Sequence, residues 1–335
     1  MNKKVAINGF GRIGRLTFRT LLTQKGIDVV AINDLTDAKT LAHLLKYDSA
    51  QGILKGFCVE TEGDNLKIIN HQTNAVTLVP VYSERDPKNL PWVKLGVEVV
   101  LECTGLFTKK EAAEQHLIAG AKKVLISAPG TGDMKTVVYN VNHDILTPSD
   151  QIVSAASCTT NGLAPVVYFL DQAFGIKSGT MTTIHAFTAD QRLQDAPHRD
   201  LRRARAATAS IVPTSTGAAK AIGLVVPSLV GKLDGIAHRV PVIAGSLIDL
   251  TLFLNQSVTA QEVNQLLESK ASESFAYSKD PLVSADIIGH TAGSIFDSLL
   301  TKVQPTGEVR VFAWYDNESS YVHQLVRTLV YMSQL

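Results

Sequence analysis

Two short stretches of this chain hold residue types that could do chemistry. In the first, "SCTTN" at 157–161, a single cysteine stands among hydroxyl and amide side chains, with apolar runs on either side. An ionised thiol is a strong nucleophile, and a helix N-terminus favours the thiolate. Cys158 falls where the apolar strand "QIVS" gives way to a helix reading "TTNGLAPVVYFLDQ". The competing reading is a buried structural cysteine, a common fate of free thiols. The three cysteines, Cys58, Cys103 and Cys158, are far apart and form no C-x-x-C pair. That argues against a metal site built from cysteines. Their odd count and wide spacing argue against a disulfide framework and for a reducing, cytoplasmic setting.

The second stretch is "NGFGRIG" at 8–14, with Gly9, Gly11 and Gly14 in the G-x-G-x-x-G spacing. It follows an apolar strand, opens a helix, and is followed by a second strand ending in Asp34, about 20 residues beyond Gly14. In a dinucleotide site Gly9 permits the tight turn, Gly11 the approach of backbone to pyrophosphate, and Gly14 close helix–strand packing. Backbone N–H groups near Arg12 and Ile13 would face the pyrophosphate at the positive end of the helix. Asp34 can accept from both ribose hydroxyls and repels a 2′-phosphate, so it favours NAD over NADP. A glycine-rich turn in some other α/β protein is the plainer alternative.

The surrounding elements fit such sites. A chain of 335 residues suggests two domains. It is 45% hydrophobic and 19% charged, with a formal net charge of +1. That balance is ordinary for a globular protein and exerts no general pull on nucleic acid or anionic membrane. No apolar run approaches the roughly 18 residues of a membrane span, and the basic start "MNKKVAINGFGRIGR" lacks a signal-peptide core. Apolar strands at 4–8, 28–34, 75–82, 97–105 and 122–130, with "TVVYNVN" and "QIVSAAS", alternate with helices such as "FTKKEAAEQHLIAGA", whose expected N-cap is Thr108. The second half offers strands at 178–188, 235–242, 246–254, 285–290 and 309–317, several alternating in polarity as an antiparallel sheet with one covered face does. "TAQEVNQLLESKAS" opens on a capping box, Thr259 to Glu262, and "SSYVHQLVRTLVYMSQL" reads as a closing helix. The expected fold is α/β: a Rossmann-type doubly wound dinucleotide-binding domain over 1–156, then an α+β catalytic domain over 157–317 with a mainly antiparallel sheet. The closing helix, 318–335, is expected to pack back on the first domain.

Together these motifs identify a resemblance. "INGFGRIGR", "LLKYDS", "ERDPKNLPW", "CTG", "AGAKKVLISAP", "SCTTN", "HAFTADQ", "DLRRARAA", "PTSTGAAKA", "GKLDG", "RVP" and "WYDNE" run through essentially the whole chain. It resembles the phosphorylating glyceraldehyde-3-phosphate dehydrogenases of bacterial type. The resemblance implies Cys158 as nucleophile and His185 as its base, NAD as cofactor, glyceraldehyde 3-phosphate and inorganic phosphate as reactants, a glycolytic role, and a homotetramer. It assigns Thr188 and Arg239 to the substrate phosphate, and Ser157, Thr159, Thr216 and Gly217 to the attacking phosphate. Of Arg202, Arg203 and Arg205, only Arg203 is expected to reach a phosphate. Asn317 is expected to bond the nicotinamide carboxamide, with Arg85 and Ser127 as further cofactor contacts. No metal is implied.

The chain departs from the family pattern at Gly162, where a second cysteine is usual, at Val242, and at Ser319 and Ser320. None removes a group with an assigned role. Two rival readings exist. Erythrose-4-phosphate dehydrogenase is similar in sequence and chemistry, but the intact "HAFTADQ" and the "IND" ending the second strand favour the triose. A non-catalytic adhesion or RNA-binding protein on the same fold would not need every catalytic position, and the near-neutral charge gives nucleic acid no support.

Overall fold

The computed structural model describes residues 2–335. The chain divides into two units, the first comprising the chain through Val137 with His143–Ala156 and Leu325–Leu335, the second Val138–Asn142 with Ser157–Gln324.

The first unit begins β1 (Lys3–Asn8), α1 (Arg12–Leu21), β2 (Ile27–Asn33), α2 (Ala38–Lys46). A three-stranded antiparallel excursion follows, β3 (Phe57–Glu62), β4 (Asn65–Asn70) and β5 (Val76–Tyr82). The alternation then resumes with α3 (Trp92–Leu95), β6 (Val99–Glu102), α4 (Lys110–Ile118), β7 (Lys123–Ile126), β8 (Lys135–Thr136) and β9 (Ile152–Ser154). The sheet order is β3-β4-β5-β2-β1-β6-β7-β9-β8, and every pair from β5 onward is parallel. Val5 and Ile7 join one apolar cluster with Phe10, Phe18, Leu41 and Leu45, while Ala6 joins another with Trp92 and Val100. Both faces of the sheet are therefore covered, as parallel sheets require. The chain leaves β1 for β2 on one side, and β6 lies on the other. That switch point opens a crevice beyond Asn8, Asn33 and Glu102, where doubly wound sheets bind ligands.

The second unit runs α5 (Cys158–Phe174), β10 (Ile176–Ala186), β11 (Val212–Ser215), α6 (Ala218–Val225), β12 (Leu233–Val240), β13 (Ser246–Leu254), α7 (Ala260–Ser269), β14 (Phe275–Ser278), β15 (Ser294–Asp297), β16 (Lys302–Val303) and β17 (Glu308–Tyr315). The last helix, α8 (Ser319–Gln334), begins in it and passes at Leu325 into the first unit, where Leu325, Val326, Leu329 and Met332 join the cluster of Val5 and Ile7. Its sheet order is β11-β12-β10-β13-β17-β15-β14, with β16 paired to β17. Only β10–β12 and β14–β15 are parallel. Along β13 every second residue from Ser246 to Leu252 is buried, so one face is covered, matching the alternation in the sequence.

Three local expectations are corrected. Thr108 is not the N-cap of α4; Lys109 holds that position without a side-chain cap, and Thr108 O accepts from Thr131 N instead. In "TVVYNVN" only Thr136, the second residue of β8, is strand. Asn142 Oδ1 accepts from Val138 N, and Asn140 has φ 66°, so the chain turns there. "ADIIGH" is a single 3-10 turn, Ser284–Ile287, because Asp286 Oδ2 accepts from Val283 N at 2.8 Å and closes it. The Thr259–Glu262 capping box forms as expected at the start of α7.

Candidate active site and dinucleotide site

The thiol sits at the N-terminal end of α5, directly after its N-cap. Ser157 Oγ accepts from Thr160 N at 3.0 Å, so the hydroxyl expected to meet phosphate holds the helix start. Ala156, just before it, is a buried non-glycine residue at φ 58°, a strained conformation of the kind that clusters at functional sites. At Gly162 an added Cβ would lie 3.1 Å from both Ile248 and the Tyr315 ring. The glycine lets the first turns of α5 sit directly on the sheet.

The sheet brings the base to the thiol. Cys158 Sγ lies 3.4 Å from His185 Nε2. His185 is opposite Arg239 in the parallel register of β10 and β12. Arg239 Nη1 reaches His185 Nδ1 at 2.9 Å, Ala186 O at 3.2 Å and Thr188 Oγ1 at 3.4 Å. Burial, then the Arg239 charge, push the imidazole down to about 3, so the ring is neutral at any working pH. Burial also pushes the Cys158 thiol up, opposed first by Arg239. Beside the helix N-terminus, then, the charge favouring thiolate is the guanidinium, since a neutral imidazole contributes none.

Two buried donors in this set lack partners among the described residues, Arg239 Nε and Gln191 Nε2. Gln191 Oε1 accepts from Thr188 N at 3.4 Å. Both side chains thus contact Thr188 while each keeps one unpartnered buried N–H, and unpaired buried donors are costly. Thr159 turns its hydroxyl to Tyr315 Oη at 2.9 Å, and Thr183 does so at 2.7 Å. The Tyr315 ring meets the His185 ring edge-on, with centroids 5.9 Å apart. Asn317 is buried, and its Oδ1 accepts from Ser246 Oγ at 3.1 Å, leaving the amide N–H groups to orient a ligand. Arg203 is ion-paired to Asp190 and bonded to Thr214 Oγ1 at 2.9 Å. Any phosphate there must compete with a carboxylate. Thr216 and Gly217 stand at the start of α6, outside the Cys158–His185–Arg239 hydrogen-bonded set, where Thr216 Oγ1 accepts from Ala218 N at 3.2 Å.

The sequence reading missed Gln191, Tyr315, Thr183 and Ser246. A signal existed for two of them. Thr183 is two residues from His185 on β10, and residues two apart on a strand share a face. Tyr315 is two residues from Asn317 in the stretch 309–317 that the sequence reads as a strand, although β17 ends at Tyr315.

In the first unit the glycines divide by what surrounds them. A Cβ on Gly9, which has φ 91°, would fall 2.6 Å from Thr104 N, and one on Gly14 would fall 2.1 Å from Gly9 O. Protein packing explains both. A Cβ on Gly11 would meet nothing within 4 Å, so its absence leaves room for something other than protein. Gly11 caps α1 with no side-chain bond, and no acidic residue occupies the first turn. Its amides can therefore take an anion. Asp34 Oδ2 accepts from Phe10 N at 2.7 Å and Oδ1 from Thr36 N at 2.9 Å. Each oxygen keeps a lone pair for a hydroxyl. The Arg12 side chain pairs bidentately with Asp48, at 2.7 and 3.0 Å. Arg85 is exposed, and Ser127 bonds the Cys103 thiol, which burial pushes up to about 12. The turn, the acidic residue and the open helix end fit a dinucleotide.

Comparison with known proteins agrees with this geometry. The model of the glyceraldehyde 3-phosphate dehydrogenase NAD binding domain matches residues 3–110, and that of the C-terminal domain matches residues 157–317. The chain belongs to the glyceraldehyde-3-phosphate dehydrogenase family. It is 56% identical over 337 residues to the glyceraldehyde-3-phosphate dehydrogenase of Clostridium acetobutylicum and 55% identical to that of Clostridium pasteurianum, covering 99% of both chains in each case. To the enzyme of Streptococcus pyogenes it is 54% identical, over 99% of this chain and 98% of that one. Membership in the family makes this an NAD-dependent dehydrogenase, and the first unit is its NAD-binding domain.

Proposed function

We propose that this chain oxidises D-glyceraldehyde 3-phosphate with NAD and inorganic phosphate to 1,3-bisphosphoglycerate, the glycolytic reaction. The observation that carries this reading is the line Cys158–His185–Arg239, which joins a nucleophile, a neutral base and a buried cation with an unpartnered N–H. Cys158 Sγ attacks the aldehyde carbon, giving a thiohemiacetal. His185 Nε2 then takes the hydroxyl proton as the C–H bond breaks. NAD, once bound, accepts the hydride. For Nε2 to be free, the ring proton must sit on Nδ1, where Ala186 O lies at 2.7 Å. Arg239 cannot donate to that tautomer, so its Nη1 is held by Ala186 O and Thr188 Oγ1, and its unpartnered Nε is left for the substrate phosphate. The resulting thioester is attacked by inorganic phosphate, and the Cys158 thiolate leaves. Thr159, Thr216, Gly217, Ser157 and Arg203 are the candidate contacts for that phosphate. Glycine-turn amides, Asp34, Arg85 and Ser127 hold the dinucleotide, and Asn317 the carboxamide. The name carried by the reported relatives is that of the triose enzyme, which supports the triose over the tetrose. The homotetramer rests on the family resemblance, and a reducing, cytoplasmic setting on the three free cysteines.

The direct test is NADH absorbance on mixing protein, aldehyde, NAD and phosphate; no absorbance at 1:1 stoichiometry or above overturns the reading. In the same assay Arg239→Leu is expected to lower kcat/KM for glyceraldehyde 3-phosphate roughly ten- to hundred-fold, the scale of one lost bond to a charged group. Unphosphorylated glyceraldehyde should lose less, keeping only the loss that follows from removing the charge beside the thiol. Equal losses on both aldehydes would remove Arg239 from the phosphate site.

Asp34→Gly is expected to weaken NAD and narrow its advantage over NADP, because two ribose bonds and the repulsion of a 2′-phosphate go together. The substitution also frees Phe10 N, which loosens the turn for both cofactors alike. The NAD/NADP ratio of KM values is therefore the readout, and an unchanged ratio would exclude Asp34 as the ribose ligand.

A further inference from the structure

Beneath the glycine turn lies a buried carboxylate that the chemistry above does not use. Glu102 ends β6, and its side chain is fully enclosed, as is that of His116 on α4. Glu102 Oε2 accepts from Asn8 Nδ2 at 2.6 Å and faces His116 Nε2 at 3.0 Å. Oε1 accepts from Thr104 N at 2.8 Å and from Thr104 Oγ1. Trp92 Nε1 reaches His116 Nδ1 at 3.2 Å. An indole N–H can only donate, so Nδ1 accepts and the ring proton stands on Nε2, aimed at Glu102. Four donors thus converge on one carboxylate.

The bonds continue outward to the ends of β1 and β2 and to the loop after β5. Asn8 Oδ1 accepts from Asn33 Nδ2 at 2.7 Å, which also reaches Glu84 O at 2.9 Å, and Asn33 Oδ1 accepts from Glu84 N at 2.9 Å. Asn8, Asn33 and Glu84 directly precede Gly9, Asp34 and Arg85. The Thr104 backbone that Glu102 holds is the surface against which Gly9 packs without a Cβ. Three residues expected to contact the cofactor, in the loops after three separate strands, therefore hang on one polar chain.

We propose that Glu102, held by His116, is a positioning residue for the dinucleotide, setting the glycine turn, Asp34 and Arg85 in binding geometry before the cofactor arrives. The proposal rests on NAD binding by this unit. A site already in its bound shape loses less freedom on binding, which appears as affinity.

Substitution at His116 separates positioning from packing. In His116→Gln the side-chain amide can still donate to Glu102, while the bond to Trp92 is lost. In His116→Asn the shorter amide can accept from Trp92 but does not reach Glu102. Trp92→Phe removes the indole donor and leaves Glu102 its partners. NAD binding to the cofactor-free protein is measured by calorimetry, with melting temperature and the KM values for NAD and aldehyde measured alongside. His116→Asn is expected to raise Kd and KM for NAD about tenfold, as loss of a bond to a charged group would, with kcat and the aldehyde KM within about twofold. His116→Gln and Trp92→Phe are expected to keep NAD Kd within about twofold of the parent, whatever they do to melting temperature. If NAD Kd follows melting temperature across all three, or is unmoved in His116→Asn, Glu102 only packs the core. Should the unsubstituted protein fail to bind NAD, the functional reading itself fails instead.

Discussion

Cys158→Ser is expected to reduce aldehyde oxidation by roughly 10³-fold or more, since a hydroxyl has little ionised form at neutral pH and loss of a nucleophile removes the covalent route. NAD affinity should be nearly unchanged, because the glycine-turn amides, Asp34 and Asn317 do not bond the thiol. Stopped-flow absorbance and NAD titration of the same preparation check the two halves together. Turnover within tenfold of the parent would sink the nucleophile assignment. Iodoacetate should also label Cys158 ahead of Cys103. Burial raises both thiols, but only Cys158 has a guanidinium opposing the rise, and Cys103 is driven to about 12. Equal labelling of the two in the folded protein would mean that Arg239 does not activate the thiol.

His185→Asn is expected to lower kcat roughly 10²–10⁴-fold, the range for losing a positioned general base. The pH dependence carries the sharper test. Burial and Arg239 hold the imidazole near 3, so protonating it cannot limit the reaction near neutrality. The thiol is raised, and its reactive form is the deprotonated one. kcat/KM for the aldehyde, which reports free-enzyme ionisations, should therefore climb with pH into the alkaline range as the thiol ionises. It should show no limb near 6.5. His185→Asn should drop the whole curve without removing a limb. Arg239→Leu should move the alkaline rise to higher pH, because the first charge opposing the thiol's burial is gone. An acid limb at pH 6–7 that vanishes in His185→Asn would show a charged imidazole and overturn this assignment of charges.

Much of this was legible in the chain itself. Glycine spacing, the strand before it and the acid after it are local features, and they specify a dinucleotide turn because backbone sterics act over a few residues. The apolar helix after Cys158, the capping box at Thr259 and the alternation along 246–254 are equally local, and all three formed as read. Elements that depended on their neighbours were misread. "ADIIGH" has the composition of a strand, but the Asp286 carboxylate accepts from Val283 N and turns the chain. The tertiary structure alone decided the electrostatics. His185 and Arg239 are 54 residues apart in sequence yet adjacent across β10 and β12. That register, with burial, makes the imidazole neutral and gives the thiol its stabilising charge from arginine. Arg203 reads as a free cation in the run "DLRRARAA", and only folding brings Asp190 onto it. The Glu102–His116 pair gives no sequence motif at all, because its members come from separate elements and meet only in the packed interior. Charge interactions depend on distance and on exclusion of water, and neither quantity exists until the chain has folded.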